Sequence, residues 1–260
     1  MTKIEKNRDR ILQALNDYGK LSISEVVEML GISEATARRL FSELERDNLL
    51  LRVHGGIRSL LQSSDGAYSF NYELRLHIKE KHVIGRHAAK LIEANDRVFL
   101  DSGTTTRACG AALKERLEVE SITNLRMITN SLAYTDTLAR VCPVFLTGGL
   151  INADKMELYD ASTLDTLRNY HFTKAFFGTD AITDNLELMT SDDDTSRLIK
   201  TVVDNSSKVI ILADSSKIGR KSFIVSGELK SSKYTLITDS GAPELFVKKL
   251  RSHGVEVIIA

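Results

Sequence analysis

The chain has 260 residues, 42% of them hydrophobic and 27% charged, with 35 basic residues against 35 acidic ones. That is room for two ordinary globular domains, and zero net charge excludes a whole-protein positive field as the basis for holding nucleic acid, so any such contact needs local clustering. Two cysteines, Cys109 and Cys142, are too few for a disulfide framework or a zinc site. No run reaches the roughly 18 apolar residues of a membrane span, and the charged start lacks a signal peptide's apolar core, so a cytoplasmic protein without membrane contact is expected.

Ile4 to Tyr18 carries Ile11, Leu12 and Leu15 as one apolar stripe, which predicts a helix stopped by Gly19. Leu21 to Ser24 reads as a short extended link, with Ser24 as cap of a second helix over Val26, Val27 and Leu30. Gly31-Ile32 makes a tight turn, and Ser33 caps a third helix from Glu34 to about Asp47 that buries Ala37, Leu40, Phe41 and Leu44. Helix, helix, glycine turn, helix is a helix-turn-helix pattern. Its third helix opens with Glu34, Ala35, Thr36, Arg38 and Arg39, where short polar residues and forked donors can meet base edges or phosphates. Leu49 to Val53 and Ile57 to Leu60 read as two strands about a His54-Gly55-Gly56 turn, a wing with Arg52, His54 and Arg58 near its tip. Ten basic residues against nine acidic ones in 1–60 require the basic side chains to be segregated on one face. A three-helix module for protein contacts is the competing reading.

The run from Ile32 to Arg39, followed by Leu44-Glu45, Leu49 and Arg52 to Gly56, resembles the N-terminal half of the DeoR/GlpR family of bacterial transcription regulators. That resemblance implies a double-stranded operator as partner, with Ser33, Glu34, Ala35, Thr36, Arg38, Arg39, Arg52 and His54 at the interface. Leu40-Phe41 stand where the family usually has Asp-Leu.

Gln62 to Ser69 is rich in Ser, Asp and Gly without apolar period, which sets the expected organisation: a winged domain over 1–60, a linker over 61–70 and a larger domain over 71–260. Tyr72 to Ala94 reads as one long amphipathic helix burying Leu76, Val83, Ile84, Ala88, Leu91 and Ile92, with Arg75 and Lys81 on a solvated flank. From Val98 onward short apolar runs alternate with helical periods, an α/β pattern with a mostly parallel sheet and helices on both faces.

Val98-Phe99-Leu100 is a doubly buried strand, and Asp101-Ser102-Gly103-Thr104-Thr105-Thr106 turns from it into a helix over Ala108 to Leu117. Such a turn aims helix N-terminal N–H groups at an anion, so Ser102 to Thr106 are read as a phosphate cradle; a plain turn capped by Thr104 or Thr105 is the simpler alternative. The other strands also end in small polar residues or glycine. In a parallel sheet these ends share one crevice, which would gather Asp101 to Thr106, Thr129, Asn130, Gly148, Gly149, Gly178, Thr179, Asp180 and Lys217. Hydroxyls and Lys217 suit a phosphate, Asn130 and Asp180 suit sugar hydroxyls, and glycines admit a close ligand. A sugar phosphate is the expected ligand, a nucleoside monophosphate its competitor, and no Gly-x-Gly-x-x-Gly marks a dinucleotide.

Leu100 to Thr106, Thr129-Asn130, Thr147 to Gly149, Gly178 to Asp180 and Asp214 to Gly219 resemble the same family's C-terminal effector domain, whose fold is similar to ribose-5-phosphate isomerase and the CoA-transferases. The resemblance implies a phosphorylated sugar as inducer, a homo-oligomer (dimer or tetramer), and a repressor of carbohydrate metabolism genes. Where the family often carries an acid and a lysine, Thr195 and Ile199 align, with Asp194, Arg197 or Lys200 as substitutes. An isomerase or CoA-transferase-like enzyme is the alternative. It would need a placed carboxylate base, for which Asp101 and Asp180 are candidates, but no nucleophile stands in an activated setting and no catalytic residue is assigned. Asp192-Asp193-Asp194 reads as a helix start rather than a metal site, the six histidines have no ligand spacing, and neither metal nor cofactor is expected.

Overall fold

The structure is a computed structural model that describes residues 3–47, 49–53, 55–59 and 70–260. The chain divides into two units, Met1–His77 and Ile78–Ala260.

In the first unit, helices α1 (Lys3–Tyr18), α2 (Ile23–Leu30) and α3 (Glu34–Arg46) surround a core of Ile11, Leu15, Val26, Ala37, Leu40, Phe41 and Leu44. Leu21, Leu50 and Ile57 close it from a small antiparallel sheet of β1 (Lys20–Ser22), β2 (Leu51–Val53) and β3 (Gly56–Arg58), in the order β1-β3-β2. The wing is therefore three-stranded, and the stretch read as a link is its third strand. Ser22, not Ser24, caps α2: its hydroxyl accepts from the Glu25 N–H while Glu25 accepts from the Ser22 N–H. That reciprocal pair needs an acid three residues on, and Ser24 has Val27 there. Ser33 caps α3 as expected.

The helix expected over Tyr72–Ala94 is broken. Short α4 (Phe70–Glu73) belongs to the first unit, His77 takes the left-handed φ of 50°, and α5 (Ile78–Lys90) begins the second unit. The break rotates the buried face. Lys81, expected in solvent, is 3% exposed, and Val83, expected in the core, is 40% exposed. The expected linker over 61–70 lies outside the described residues except for Phe70, and the division falls at His77.

Among the described residues the second unit holds a seven-stranded parallel sheet of β4 (Arg97–Leu100), β5 (Arg126–Thr129), β6 (Val144–Leu146), β9 (Phe172–Phe177), β12 (Ser206–Leu212), β14 (Tyr234–Thr238) and β15 (Glu256–Ile259). Their order is β15-β14-β12-β9-β4-β5-β6, every pair parallel. Alternation along β4 sends Val98 and Leu100 to one face and Phe99 to the other. The first face packs on α5, α6 (Thr104–Val119) and α7 (Thr135–Leu138), the second on α8 (Ala161–Arg168), α9 (Asp193–Asp204) and α10 (Glu244–Ser252). This is the α/β architecture expected, doubly wound.

The chain lays down β4, β5 and β6 outward in one direction, then returns to place β9 on the other side of β4. The order reverses between β4 and β9, and there their carboxyl ends diverge into a crevice. Two additions carry weaker sequence signals: the hairpin β7 (Leu150–Asn152) with β8 (Glu157–Tyr159), and an antiparallel sheet of β10 (Ala181–Ile182), β11 (Glu187–Thr190) and β13 (Ile224–Glu228).

Candidate functional site

On the first unit, α3 buries the stripe Ala37, Leu40, Phe41 and Leu44 and turns its other face outward. Ser33, Glu34, Ala35, Arg38 and Arg39 are exposed and Thr36 half-buried, so the residues expected at a DNA interface share the helix start. Ser33 accepts from the Thr36 N–H at 3.2 Å. Arg38 pairs with Glu34 at 2.5 Å with both side chains more than half exposed, and Arg39 lies 3.9 Å from Glu43. Surface pairs of this kind are worth little, so both guanidiniums can exchange a carboxylate for a phosphate or a guanine edge. Arg52 is engaged more firmly: its guanidinium donates to Ser42 at 2.9 Å and its N–H to Glu45 at 3.0 Å, which ties β2 to α3. His54 lies outside the described residues.

On the second unit, β4 ends at Leu100 and α6 starts at Thr104, with Gly103 at the N-cap and no side chain capping the first turn. Thr104, Thr105 and Thr106 form that turn and are buried, so the helix begins four residues before the expected Ala108. The simpler alternative, a threonine cap, is not what is seen. Thr106 donates its hydroxyl to the Asp101 and Gly103 carbonyls at 2.8 and 2.6 Å and shapes the turn rather than facing a ligand. An uncapped helix start carries unsatisfied N–H donors and partial positive charge.

Asp101 stands where this turn meets the crevice. Its carboxylate takes N–H groups from Ser102 and, across the switch point, from Gly178, and burial pushes the carboxyl up to about 6. Opposite it, the β7–β8 hairpin brings in Glu157, whose carboxylate accepts the Ser102 hydroxyl at 2.5 Å. Burial pushes that carboxyl up to about 7, against the pull of the Ser102 bond and of Lys155. Lys155, in the hairpin turn, bonds Asp192, lies 3.2 Å from the Thr195 hydroxyl and 3.8 Å from Glu157. Its ammonium is held above the ordinary lysine value in spite of burial, by Asp192 and Glu157. Asp192 caps α9 through the Thr195 N–H and, despite burial, is held below the ordinary carboxylate range by Lys155. Together with Asn130 and the start of α9 these side chains line a narrow polar cleft.

Of the residues expected there, Asp101 and Asn130 line this crevice. Asn130 is 1% exposed; its amide donates to the Leu158 carbonyl at 3.3 Å and its Oδ1 has no partner. Thr129 and Thr179 spend their hydroxyls on backbone carbonyls, Thr129 on Leu100 at 2.6 Å and Thr179 on Ala181 and Met189 at 3.0 and 3.1 Å. Gly148 gives its carbonyl to Thr163, and Gly149 sits at φ +124° where a Cβ would fall 2.2 Å from the Thr163 hydroxyl. The two glycines thus seat the hairpin. Asp180 is half-buried and contributes negative charge felt by Asp101 and Lys155. Lys217 ends a 3-10 turn, Ser215–Lys217, and is not among the residues lining the crevice. Sequence reading missed Lys155, Glu157, Asp160 and Thr163. The hairpin that carries or seats them has strands of three residues, too short for a clear alternation. Thr195, aligned with an acidic position of the resembled family, and Asp194, named as a substitute for it, do line it.

Among the described residues no group of three or more His, Cys, Asp or Glu is placed to hold a metal ion, and no helix is long and apolar enough to cross a membrane. Cys109 is buried and Cys142 half-buried, both unpaired with each other, and burial pushes their thiols up to about 12 and 11.

Residues 8–63 match the DeoR-like helix-turn-helix domain and residues 76–240 the DeoR C terminal sensor domain. The chain is 31% identical to the HTH-type transcriptional repressor GlcR of Bacillus subtilis over 96% of this chain and 93% of that protein. It is 32% identical to a lactose phosphotransferase system repressor of Streptococcus mutans, over 90% and 92%. With the glycerol-3-phosphate regulon repressor of Escherichia coli it shares 28% over 98% of each. Among solved structures, ribose 5-phosphate isomerase from Plasmodium falciparum aligns with 53% of this chain and 52% of that one, at 20% identity and a TM-score of 0.40.

Proposed function

The chain belongs to the DeoR family of transcription regulators, and from that premise we propose that it is a cytoplasmic repressor of genes for carbohydrate use. In this reading it binds operator DNA through α3 and the wing, and a phosphorylated sugar in the crevice between β4 and β9 changes that affinity. The observation that carries the sensing half is the uncapped first turn of α6, opening beside Asp101 at the point where strand order reverses. Of the residues expected to meet the ligand, Asp101 and Asn130 line the crevice and suit the sugar. The DNA half is supported by the exposed Arg38 and Arg39 at the start of α3. No catalytic role is assigned: the relatives are named as repressors, and Asp101, the best-placed base, is bonded to two N–H groups.

Two-fold operators require a dimer or higher oligomer, one winged unit per half-site, with half-sites about 10 base pairs or a multiple apart. The effector acts by binding one arrangement of the DNA-binding units more tightly than the other, and a coupling of about 1–3 kcal/mol changes operator affinity roughly 5- to 150-fold. To test this, an operator is selected from a random duplex pool with the full chain, and its affinity is measured across a panel of sugar phosphates. A shift in that range with at least one of them is expected. A pool that yields no preferred sequence, or an operator indifferent to every sugar phosphate, would refute the reading.

A further inference from the structure

The operator-binding reading, on which this inference rests, calls for two copies on one two-fold site, and the larger unit carries an edge suited to joining them. Its parallel sheet has two outer strands, β15 and β6. The free edge of β15 is closed. Glu256 stands at its start, and the Arg251 guanidinium donates to the Val257 carbonyl at 3.1 Å. Charge on an outer strand blunts its pairing with other chains. The β6 edge has no such protection. The Met127 N–H donates to the Pro143 carbonyl and the Thr147 N–H to the Thr129 carbonyl, so alternation turns the N–H and C=O groups of Val144 and Leu146 away from β5. Beyond Thr147 the same edge continues. The Leu158 N–H donates to the Asn130 carbonyl and the Leu132 N–H to the Met156 carbonyl, which lays β8 along the exit of β5 and puts β7 outside it.

This edge is apolar. Residues 141–153 carry no charged side chain. Phe145, Leu146, Leu150 and Ile151 are 48%, 37%, 58% and 65% exposed, four of the thirteen large hydrophobic side chains exposed among the described residues. With about 150–200 Å² on each such side chain, they present roughly 300–400 Å² of apolar surface, the size at which a patch marks an interaction site. A groove at the start of β5 and β6, lined by Ile122, Val141, Pro143, Phe145 and Tyr170, extends it. A homodimer interface of ordinary size buries about 800 Å² per copy, roughly two-thirds of it apolar, and the four side chains with the groove reach that scale. Across a two-fold axis a surface meets its own copy, so charge on it faces like charge. An edge without charge meets its copy at no such cost and offers a charged partner nothing to recognise. We propose that a second copy of this chain packs against the β6–β7 edge about a two-fold axis, with Phe145, Leu150 and Ile151 at the centre of the contact. Because β8 walls the cleft and β7 lies outside it, the contact stands one strand away from the ligand site.

Sedimentation equilibrium of the full chain over the micromolar range tests this. The wild-type chain is expected to form a dimer, or a tetramer built from it. Leu150→Asp with Ile151→Asp changes two exposed positions. In that variant the association is expected to weaken roughly 30-fold or more, the scale of losing one central interface residue, with an unchanged far-ultraviolet spectrum. Hydrogen exchange of the wild type is the second measurement: the Val144 and Leu146 amides are expected to slow as concentration rises through the dissociation constant. Should the variant misfold, the exchange measurement decides alone. A folded variant that associates as the wild type does, or edge amides whose exchange ignores concentration, would overturn the interface and leave the operator and sugar-phosphate readings standing. A wild-type chain that stays monomeric would overturn it as well. If that monomer also held its selected operator alone, the two-fold arrangement on DNA would fall with it.

Discussion

Glu157 in the crevice and the Arg38–Arg39 pair on α3 stand in opposite surroundings, one buried and the other exposed. In Glu157 burial raises the carboxyl to about 7 from its ordinary 4.5, so between these values the folded chain holds a proton that the unfolded chain has released. Its contribution to stability is therefore full below about 4.5 and is lost as pH rises toward 7. Glu157→Gln is expected to raise the melting temperature of the ligand-free protein by several degrees near pH 8 and hardly at all near pH 5, at about 2–4 °C per kcal/mol for a chain of this size. Thermal melts across that range check it, and an unchanged pH slope would mean the carboxyl is ionised throughout. Arg38 and Arg39, by contrast, are exposed and weakly paired. Replacing both with alanine is expected to cost about 1–3 kcal/mol of operator affinity for each while sugar-phosphate binding is kept. Fluorescence anisotropy at moderate salt would measure it, and intact operator affinity would remove α3 from the interface.

At the level of elements, the β7–β8 hairpin is what turns a strand-end crevice into a walled site. Gly149 at its entry takes φ +124°, where a side chain would press on the Thr163 hydroxyl and the Tyr159 carbonyl. Gly149→Ala is expected to cost about 1–3 kcal/mol by backbone strain and overpacking. It should weaken the effector response and leave operator binding near wild type, read by melting temperature and the same anisotropy assay; an unimpaired response would mean the hairpin is not part of the site. The hairpin is also where reading the sequence stopped short. The parallel strands were legible because doubly buried runs such as Val98 to Leu100 have no other stable use, and α3 was legible from the four-residue spacing of its core stripe. Lys81 was misread because the break at His77 changes the helix face that meets the sheet. Thr106, Thr129 and Thr179 carry the right hydroxyls, yet a strand end must satisfy its own carbonyls first. Lys217 follows a strand like the rest and still falls outside the lining, since chain position does not fix where a side chain goes.

The whole molecule joins two units with separate cores, the smaller centred on Phe41 and Leu44 and the larger on the two faces of its sheet. Calorimetry of the full chain is expected to show a transition for each unit. A sugar phosphate at 100 times its dissociation constant should move only the larger unit's transition, by about 2.7 kcal/mol of added stability, and operator DNA should move the smaller one's. Equal movement of both by the sugar alone would mean that the units unfold as one. The reversal of strand order also bears on how the protein comes into being. Because Asp101 follows β4 while Asp194, Thr195 and Leu198 of α9 line the same cleft, the cleft cannot exist until the ribosome has made α9. The duplex-gripping module leaves the tunnel long before that. At about 5–20 residues per second, each newborn copy passes several seconds with a finished hand and no sense of taste.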